Sequence, residues 1–540
     1  MFAGAADAGS TDDPKGPCAG CQQEASQRCA NCRQVYYCRR ECQRGHWKDH
    51  KNDCKPFKVE KNSTLGRYLV ATRDFKAGDV IMKEEPIVVG PKQLTEPVCL
   101  GCYKRVDGSY RCRHCTWPMC GPACEEAPAH KPECTVGKVM GSPIEIQDFN
   151  EVNHFYEVVT PLRCLLLKKK SPKKYEELMA LESHFNDRKG THIYTENQKR
   201  VVNMLRNYFM LVDFPPEDLD ASEASIHNMT GIIDTNAVDI PLPESEIVGI
   251  YPTYSMLEHS CTPNTKYRVS STYQLTLKAA VDIKEGEHLS TIYTHILWGT
   301  AARRDLLKST RFFMCTCRRC ADPTELGTNF SALRCNKCPL GFLMSAAPLD
   351  PLADWICTSC NATMTADEAN DITLQLGEEV EQTLEKGNAK DIENLIEKSS
   401  STVVHPNHFH LFAARHSLLQ MLGREASGLN EDVVKKKEEL CREFLKTCTA
   451  IDPGMCKLAS YVGVALYEYH LAVLARTRLG PTDTLVDKVA LKTDLDTAKA
   501  LLQQCIKVLQ EELPESPEGQ LRLLAEQNLM ELNLWESPSV

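Results

Sequence analysis

The stretch that decides the fold is CAGCQQEASQRCANCRQVYYCRRECQRGHWKDHKNDC, residues 18–54. Its metal-binding side chains follow the order C-x2-C, C-x2-C, C-x3-C, H-x3-C: Cys18, Cys21, Cys29, Cys32, Cys38, Cys42, His50 and Cys54. A second stretch repeats this order with the same spacings: Cys99, Cys102, Cys112, Cys115, Cys120, Cys124, His130 and Cys134. Each short gap lets one turn direct two ligands at one ion, and eight ligands complete two tetrahedral zinc sites. The sequence therefore predicts two binuclear zinc modules.

Two further cysteine clusters follow the repeated modules. Cys335-x2-Cys338 with Cys357-x2-Cys360 has the spacing of a zinc ribbon, and a cluster of single cysteines comprises Cys261, Cys315, Cys317 and Cys320. With His50 and His130, the clustered cysteines supply ligands for about six four-coordinate zinc ions. The 27 cysteines come without a secretory signal, which favours metal over disulfides. Closed four-ligand sites stabilise a fold and lack the open position of a catalytic zinc.

Composition limits the class of protein. The chain has 540 residues, enough for three or four domains, with the apolar and charged content of a globular protein. It has no apolar run of about 18 residues, so we expect no membrane helix, and the start of the chain lacks signal-peptide features. We therefore expect a location in the nucleus, the cytoplasm or both. A net charge of −10 argues against strong nucleic-acid binding.

Apolar patterning separates a β region from helical regions. Short strands are predicted at residues 67–72, 80–82, 87–89, 267–283 and 288–296, with a turn at Gly78-Asp79. Apolar residues recur at helical spacing between about 150 and 213, and from about 366 to the end of the chain. Successive amphipathic helices of this kind suggest a helical-repeat-like stack with a concave binding surface.

Five ordered motifs resemble the SET- and MYND-domain protein-lysine methyltransferase family over nearly the whole chain. They are Leu65-Gly66-Arg67-Tyr68, a MYND-type module inside the β region, Glu258-His259-Ser260-Cys261-Thr262-Pro263-Asn264, Gly286-Glu287-His288-Leu289 leading to Tyr293, and the cysteines at 315, 317 and 320. The extra module at 18–54 and the ribbon at 335–360 resemble the arthropod-type branch of this family. No single motif is specific, but the ordered set is.

The resemblance implies an α+β multidomain fold: a split SET β-fold with MYND zinc modules, a post-SET zinc cluster and an all-α, helical-repeat-like C-terminal domain. The implied segments are a disordered leader (1–17), a MYND-type finger (18–54), the SET N-terminal part (58–95), a second MYND-like module (96–136), a helical insertion (145–230), the SET C-terminal part (231–300), the post-SET cluster (301–325), a zinc ribbon (330–364) and the C-terminal helices (366–540).

The same resemblance implies the site residues. S-adenosylmethionine would be bound by Gly66, Arg67, Asn236, Glu258 and His259, the last mainly through its backbone, and Tyr293 would be the catalytic tyrosine. Its hydroxyl, with nearby backbone carbonyls, would orient the target lysine and stabilise the methyl group in transfer. Cys261 would share one zinc with Cys315, Cys317 and Cys320, closing the post-SET segment over the lysine channel.

Three positions depart from the family pattern. Tyr68 replaces a glycine that lets the backbone approach the cofactor, and Glu258 replaces an asparagine. The Glu258 carboxylate could attract the ammonium of the cofactor, repel its carboxylate, or form a structural ion pair elsewhere. Arg311 falls where a second channel aromatic is usual, and a one-residue shift of the alignment would put Phe312 there instead. An arginine in the channel would oppose a protonated lysine by about 4 kcal/mol at 4 Å and an effective dielectric of 20.

Two functions therefore stay open. The first is an S-adenosylmethionine-dependent protein-lysine N-methyltransferase with a role in transcriptional regulation, whose partner is a protein substrate carrying a target lysine. The second is a catalytically degenerate SET/MYND adaptor or corepressor. In either case the MYND module resembles a surface that binds proline-containing peptide motifs.

Overall fold

The computed structural model describes residues 15–32, 35–51, 54–138, 143–424, 430–479 and 485–536. The first zinc module consists of β1 Gly16–Pro17, β2 Glu24–Ala25, β3 Gln27–Arg28, β4 Tyr36–Tyr37 and α1 Arg40–His50. Strands β1 and β2 pair, as do β3 and β4. The prediction of a disordered leader over 1–17 is wrong at its end, because Gly16–Pro17 is a paired strand. Residues 1–14 of that predicted leader lie outside the described residues.

The β region is divided by a long insertion. Its first strands are β5 Phe57–Asn62, β6 Gly66–Ala71, β7 Val80–Glu84 and β8 Val88–Pro91. The inserted helices are α2 Pro122–Glu125, α3 Lys131–Gly137, α4 Val159–Lys170, α5 Pro172–Met179, α6 Phe185–Arg188, α7 His192–Asn197 and α8 Glu223–Asn236. The later strands of the β region, after the insertion, are β9 Ala237–Pro241, β10 Glu246–Ile250, β11 Glu258–His259, β12 Thr265–Val269, β13 Leu275–Ala279 and β14 His288–Thr291. Short 3-10 and π turns connect some of the helices.

These strands form three small sheets, ordered β8-β10-β9, β11-β14-β6-β5 and β12-β13-β7. The pairing that matters for the site is the parallel one between β11 and β14, which sets Glu258 beside Ser290 and His259 beside Thr291. Apolar side chains from all three sheets, including Ile247, Leu69 and Leu277, are fully buried in one core. The chain segments around Glu258 and Tyr293 are therefore fixed side by side on a packed base.

Three predicted element bounds are wrong. The strand predicted over 267–283 is two paired strands, β12 and β13, joined by a turn in which Tyr273 N–H donates to the Ser270 carbonyl. The strand predicted over 288–296 ends at Thr291, and beyond it the backbone N–H of Tyr293 bonds to the side chain of His259 rather than to a neighbouring strand. The boundary predicted at residue 230 cuts helix α8, whose Ser222 N-cap accepts a hydrogen bond from Ser225 N–H and whose regular hydrogen bonding continues to Asn236. The turn predicted at Gly78-Asp79 is present, and Gly78 has the positive φ of 94° that favours glycine.

The rest of the chain holds a small sheet and a long helical array. Its elements are α9 Thr300–Arg311, α10 Arg318–Ala321, β15 Leu333–Arg334, β16 Phe342–Ser345, β17 Trp355–Cys357, β18 Thr363–Met364, α11 Ala366–Lys386, α12 Ala389–Thr402, α13 Phe409–Met421, α14 Glu431–Ile451, α15 Ala459–Leu479, α16 Leu485–Val508 and α17 Pro517–Glu536. Strands β15 to β18 pair in chain order. Within the described residues, no helix has both the length and the apolar character needed to cross a bilayer.

The helical array packs back against the β region. Lys278 of β13 forms an ion pair with Glu511 at 2.6 Å, and the Cys456 thiol lies 3.6 Å from the carbonyl of Pro263. Ile292 and Ile296, which flank Tyr293, are buried in the same cluster as the apolar residues of α14 to α17. This contact leaves a cleft of about 1300 Å³ between the strands and the helices.

Candidate active site and metal centres

Each MYND-type register folds into two interleaved ligand sets. The first module groups Cys18, Cys21, Cys38 and Cys42 in one set, and Cys29, Cys32, His50 and Cys54 in the other. The ligand atoms of each set lie within 4.8 Å of one another. His50 Nε2 lies 3.4 Å from the sulfurs of both Cys29 and Cys32. Thiolates and imidazole gathered in this way fit tetrahedral zinc, and the sequence spacing alone did not indicate which pairs share an ion.

The second module repeats the interleaving. Its sets are Cys99, Cys102, Cys120 and Cys124, and Cys112, Cys115, His130 and Cys134. Next to His130 lies the fully buried Glu133, which receives a hydrogen bond from Arg163 Nε of helix α4. Arg163 also donates to the carbonyl of Val89 at 2.7 Å and to the hydroxyl of Tyr103. A buried ion pair thus joins this module to the helical insertion and to strand β8.

The post-SET cluster gathers Cys261, Cys315, Cys317 and Cys320 within the same 4.8 Å limit, although Cys261 precedes the others by more than 50 residues. Arg303 of α9, fully buried, donates from Nε to the Cys261 sulfur at 3.2 Å and from Nη2 to the Cys320 sulfur at 3.5 Å. Glu325 bridges Arg303 and Arg319 with its Oε2, at 2.7 and 3.0 Å. These two arginines lower the pKa of Glu325 to about 2, against the opposing effect of burial.

The ribbon sulfurs also pair across its strands. Cys335 and Cys360 lie 3.6 Å apart and Cys338 and Cys357 lie 3.7 Å apart. A side chain at Gly341 would collide with the Cys357 sulfur, so the turn needs glycine there because of a close approach. All four predicted clusters of donors are thus brought together by the fold, and their chemistry fits several zinc sites.

The candidate active site lies where β11 and β14 run in parallel. His259 accepts a hydrogen bond at Nδ1 from the backbone N–H of Tyr293, 3.0 Å away, and its Nε2 lies 3.3 Å from the Cys261 sulfur. The hydroxyl of Tyr293 donates to the carbonyl of Leu257. Burial raises the pKa of Tyr293 to about 12, so the phenol keeps its proton at neutral pH. The hydroxyl and the carbonyl together form a fixed polar pair.

Arg311 stands over the tyrosine. Its guanidinium lies 5.8 Å from the Tyr293 ring centroid, and it donates a hydrogen bond to the carbonyl of Asp234. The Phe312 ring lies against His184 at 5.1 Å, and the Phe313 ring lies against His259 at 5.8 Å. Arg311, not Phe312, therefore occupies the position next to Tyr293.

Glu258 pairs within the protein. Its Oε2 lies 2.8 Å from His288 Nδ1, and the His288 ring packs 4.5 Å from the ring of Tyr68. The Tyr68 hydroxyl in turn donates to Glu60 at 3.1 Å. Of the alternatives for the Glu258 carboxylate, the structure supports an internal partner, His288, which contacts one of its two oxygens.

The remaining predicted cofactor residues are spread over three elements. Gly66 closes the β5–β6 hairpin with a positive φ of 68°, which accounts for the glycine by backbone conformation. Arg67 donates to the carbonyl of Ala180 at 2.5 Å, and Asn236 donates to the carbonyls of Glu182 and Ile232, each at 2.8 Å. Asn236, Tyr293 and Arg311 line the 1300 Å³ cleft, whereas Gly66 and Arg67 are not among its lining residues.

Sequence reasoning missed several contributors to this site. The Leu257 carbonyl is invisible to any motif of side chains, and His288 was predicted only as the first residue of a strand and as part of the motif that leads to Tyr293. No sequence motif singled out Arg303, Arg319 or Glu325. The one signal for Arg303 was its amphipathic helix, on which it falls among buried positions such as Leu307.

Comparisons with known proteins match this architecture. The MYND finger family model matches residues 18–54 and the SET domain family model matches residues 66–294. The SET domain-containing protein SmydA-8, isoform A, of Drosophila melanogaster is 28% identical over 328 residues, covering 58% of this chain and 67% of that protein. The histone-lysine N-methyltransferase ASHR1 of Arabidopsis thaliana is 26% identical over 420 residues, covering 72% and 80%.

The N-lysine methyltransferase SMYD2 of Mus musculus is 28% identical over 272 residues, covering 47% of this chain and 58% of its own length. A solved structure, described as the SET domain of LSMT bound to lysine and AdoHcy, aligns over 91% of this chain and 92% of its own at 13% identity and a TM-score of 0.30. So low a TM-score supports no conclusion about this chain.

Proposed function

Since the chain belongs to the SET- and MYND-domain protein family and has a SmydA-type relative, we propose that it is an S-adenosylmethionine-dependent protein-lysine N-methyltransferase. The observation that carries the proposal is the Tyr293 hydroxyl bound to the Leu257 carbonyl, on a residue that lines an open cleft. Two oxygens held together can orient an amine through its N–H groups. A lysine side chain entering the cleft is the nucleophile that this geometry suits.

Methyl transfer to an amine is an in-line displacement that needs no covalent enzyme intermediate, so positioning and electrostatics supply the catalysis. The lysine must first lose its proton, from an ordinary pKa near 10.4. The Arg311 guanidinium beside Tyr293 disfavours the ammonium form by charge repulsion, and partial burial acts in the same direction. Tyr293, Leu257 and Arg311 would together hold a neutral amine.

S-adenosylmethionine would supply the methyl group, and the hydrogen-bond acceptors near Tyr293 fit a cofactor that carries cationic sulfonium and ammonium groups. Glu258 uses Oε2 for His288, and its Oε1 accepts no hydrogen bond from any described residue. The carbonyls of Leu257 and Asn236 add further acceptors in the same region. We propose that Asn236, Glu258 and His259 bind the cofactor, with Gly66 and Arg67 contributing through the β5–β6 hairpin.

Isothermal titration of the zinc-loaded protein with S-adenosylmethionine tests the proposal. We expect saturable binding that weakens in a Glu258→Gln variant, because the amide lacks the charge that attracts an ammonium group. Asp305→Asn, an exposed change on α9, serves as the control. Absence of binding at about 1 mM cofactor, the concentration that corresponds to roughly −4 kcal/mol, would sink the enzymatic proposal.

A second candidate function, a catalytically degenerate adaptor or corepressor, is favoured by one observation. Tyr68, His288 and Glu258 form a continuous contact chain on the strands expected to meet the cofactor. If this chain of side chains excludes the cofactor, the same titration gives no heat. That result would support the adaptor function, in which the protein binds partners but has no methyltransferase activity.

We propose that the first zinc module recruits partners with proline-containing motifs, in the nucleus, the cytoplasm or both, and that the protein acts in transcriptional regulation. The module touches the β region through the Arg28–Glu285 ion pair at 3.5 Å. Trp47 on its helix α1 is 47% exposed, which leaves a large ring available for a peptide. A Trp47→Ala variant should lose proline-peptide binding while its zinc content stays unchanged.

A further inference from the structure

The helix that ends the second zinc module places a histidine ligand and a carboxylate on one face. Helix α3 begins directly after His130, and Glu133 lies in its first turn. Side chains three residues apart are neighbours on a helix surface. Both side chains are fully buried. The fold thus sets an enclosed carboxylate beside one of the four ligands of the set that contains His130.

One atom of each side chain is buried without a hydrogen-bond partner. These atoms are His130 Nδ1 and Glu133 Oε2, and they lie 3.9 Å apart. The other polar atoms of the two side chains are engaged. His130 Nε2 lies 3.3 Å from the Cys115 sulfur, and Glu133 Oε1 accepts a hydrogen bond from Arg163 Nε. Because buried polar groups without partners are costly, two of them side by side require a physical reason.

The chemistry of a zinc site supplies this reason. A neutral histidine that binds zinc through Nε2 carries its ring proton on Nδ1, which then needs an acceptor. In metal sites that acceptor is usually a carboxylate, a backbone carbonyl or a water. Glu133 Oε2 is a carboxylate oxygen next to Nδ1 with no other donor. The unpartnered donor and the unpartnered acceptor therefore match each other.

Arg163 holds the carboxylate from its other side. Its Nη1 donates to the carbonyl of Val89 in strand β8 at 2.7 Å, and its Nη2 donates to the carbonyl of Leu100 at 3.3 Å. Leu100 lies in the first C-x2-C turn of the module, which belongs to the other ligand set. The guanidinium is thus fixed by two backbone segments, and it fixes Glu133 in turn.

A role as counter-ion of Arg163 accounts for only half of Glu133. One oxygen takes the hydrogen bond from the guanidinium, and the second accepts none from any described residue. The repeated register adds a hint from the sequence. Asp53, directly before the last cysteine of the first module, is acidic like Glu133 at the same place in the second, although it lies outside the described residues.

We propose that Glu133 is the outer partner of the zinc ligand His130: its Oε2 accepts a hydrogen bond from Nδ1–H of the ring, while Arg163 holds Oε1. The carboxylate would select the ring nitrogen that carries the proton, orient the ring towards the metal and make Nε2 a stronger ligand. Glu133 is then a positioning residue for zinc, and this role does not depend on methyl transfer.

Zinc affinity of the full-length, zinc-loaded protein tests the proposal, measured by competition with chelators of graded affinity. The test variant is Glu133→Met/Arg163→Met, because removing both members of a buried ion pair leaves no unpaired charge. The matched control is the same double change in a His130→Cys background, since a cysteine still binds zinc but has no second nitrogen to orient. Glu126→Gln, an exposed change in the same module, controls for the loss of one carboxylate.

We expect the double variant to bind one equivalent of zinc about ten- to hundredfold more weakly, while the other equivalents and Glu126→Gln match the wild type. In the His130→Cys background, the same double change should leave zinc affinity unchanged. An equal loss in both backgrounds would show that Glu133 and Arg163 act without His130, and would overturn the proposal. Wild-type affinity in the double variant would also overturn it.

A second measurement needs no variant of the ion pair to fold. Proton–nitrogen NMR of the zinc-loaded wild-type protein, labelled at histidine, reports which nitrogen of His130 carries the proton and whether that proton is hydrogen-bonded. We expect a downfield-shifted Nδ1–H that exchanges slowly with solvent, assigned by its loss in His130→Cys. An Nδ1–H of His130 that exchanges as fast as the ring protons of the exposed His192 would overturn the proposal.

Discussion

His259 accepts a 3.0 Å hydrogen bond at Nδ1 from the backbone N–H of Tyr293. A backbone N–H can only donate, so the proton of the neutral ring lies on Nε2, which faces the Cys261 sulfur at 3.3 Å. Burial lowers the pKa of His259 to about 4, which keeps the ring neutral at physiological pH. The histidine thus connects the backbone of the candidate catalytic tyrosine directly to a ligand of the post-SET cluster. Through His259, the post-SET cluster therefore helps to position Tyr293.

Tyr293→Phe is the direct test of the proposed catalytic role. The change removes the hydroxyl that donates to Leu257 but keeps the ring beneath Arg311 and the backbone bond to His259. We expect methylation of a peptide array to be lost, with a change of only about 1 kcal/mol in the free energy of unfolding, the net value of one hydrogen bond. Zinc content and circular dichroism should match the wild type. Undiminished methylation would remove Tyr293 from its role.

Arg311 predicts a shift in the pH dependence of the reaction. If its charge favours the neutral lysine, Arg311→Met should move the rising limb of the pH–rate profile to higher pH. Each unit of lysine pKa costs about tenfold in rate below the inflection. Initial rates between neutral and alkaline pH measure the shift, and Lys308→Met, an exposed change on the same helix, is the control. Superimposable profiles for wild type and Arg311→Met would contradict the assignment.

The sequence and the structure agree most closely where chemistry is local. Cysteine spacing predicted the two eight-ligand modules and the ribbon, whereas the family resemblance implied that Cys261 joins Cys315, Cys317 and Cys320 and that Glu258 and Tyr293 belong to one site. Spacing could not show that Cys18 and Cys38 share a set, since that pairing depends on how the module folds over itself. Likewise the partner of Glu258 is His288, 30 residues later, and only the parallel β11–β14 register brings the two together.

Buried charge was the largest gap in the sequence-based reading. Arginine is normally a surface residue, so composition gave no sign that Arg303 and Arg319 are fully buried, and only the helical spacing of Arg303 with Leu307 pointed to it. Their burial follows from a long-range fit among α9, α10 and the loop that carries Glu325. Such a fit depends on tertiary contacts that no local pattern encodes.

Glu325→Gln should therefore be strongly destabilising. It leaves two buried guanidinium groups without their carboxylate, a loss of about 3–5 kcal/mol in the free energy of unfolding. Because Arg303 also donates to the Cys261 and Cys320 sulfurs, zinc release to a chelator should accelerate. Urea unfolding and a colorimetric zinc assay measure the two effects, with Asp305→Asn as the exposed control.

The contribution of Glu325 to the free energy of unfolding depends on pH. Because its pKa is lower in the folded protein, ionised Glu325 stabilises the fold fully above about pH 4.5, and this stabilisation is lost as the pH falls towards 2. A stability equal to that of the control would contradict the ion-pair account.

His416 of α13 gives a pH prediction that is independent of zinc. Its ring packs against Phe444 and Tyr461, with centroids 5.4 and 4.6 Å away, and its Nε2 is buried without a hydrogen-bond partner. Burial lowers its pKa to about 4. In the unfolded chain, the His416 imidazole binds a proton with a pKa near 6.5. The neutral buried ring therefore contributes fully to the free energy of unfolding above about pH 6.5, and this contribution is lost as the pH falls towards 4.

A His416→Phe variant cannot take up that proton. We expect its free energy of unfolding to be close to that of the wild type at pH 8, and to exceed it by about 1 kcal/mol near pH 5.5, within the limit of about 1.4 kcal/mol per pH unit for one group. Urea unfolding at both pH values measures the difference, and the zinc sites cancel because they are common to both proteins. His192→Gln, on the exposed surface of α7, should leave the pH dependence unchanged. If wild type and His416→Phe lose stability in parallel as the pH falls, the protonation of His416 is not coupled to folding.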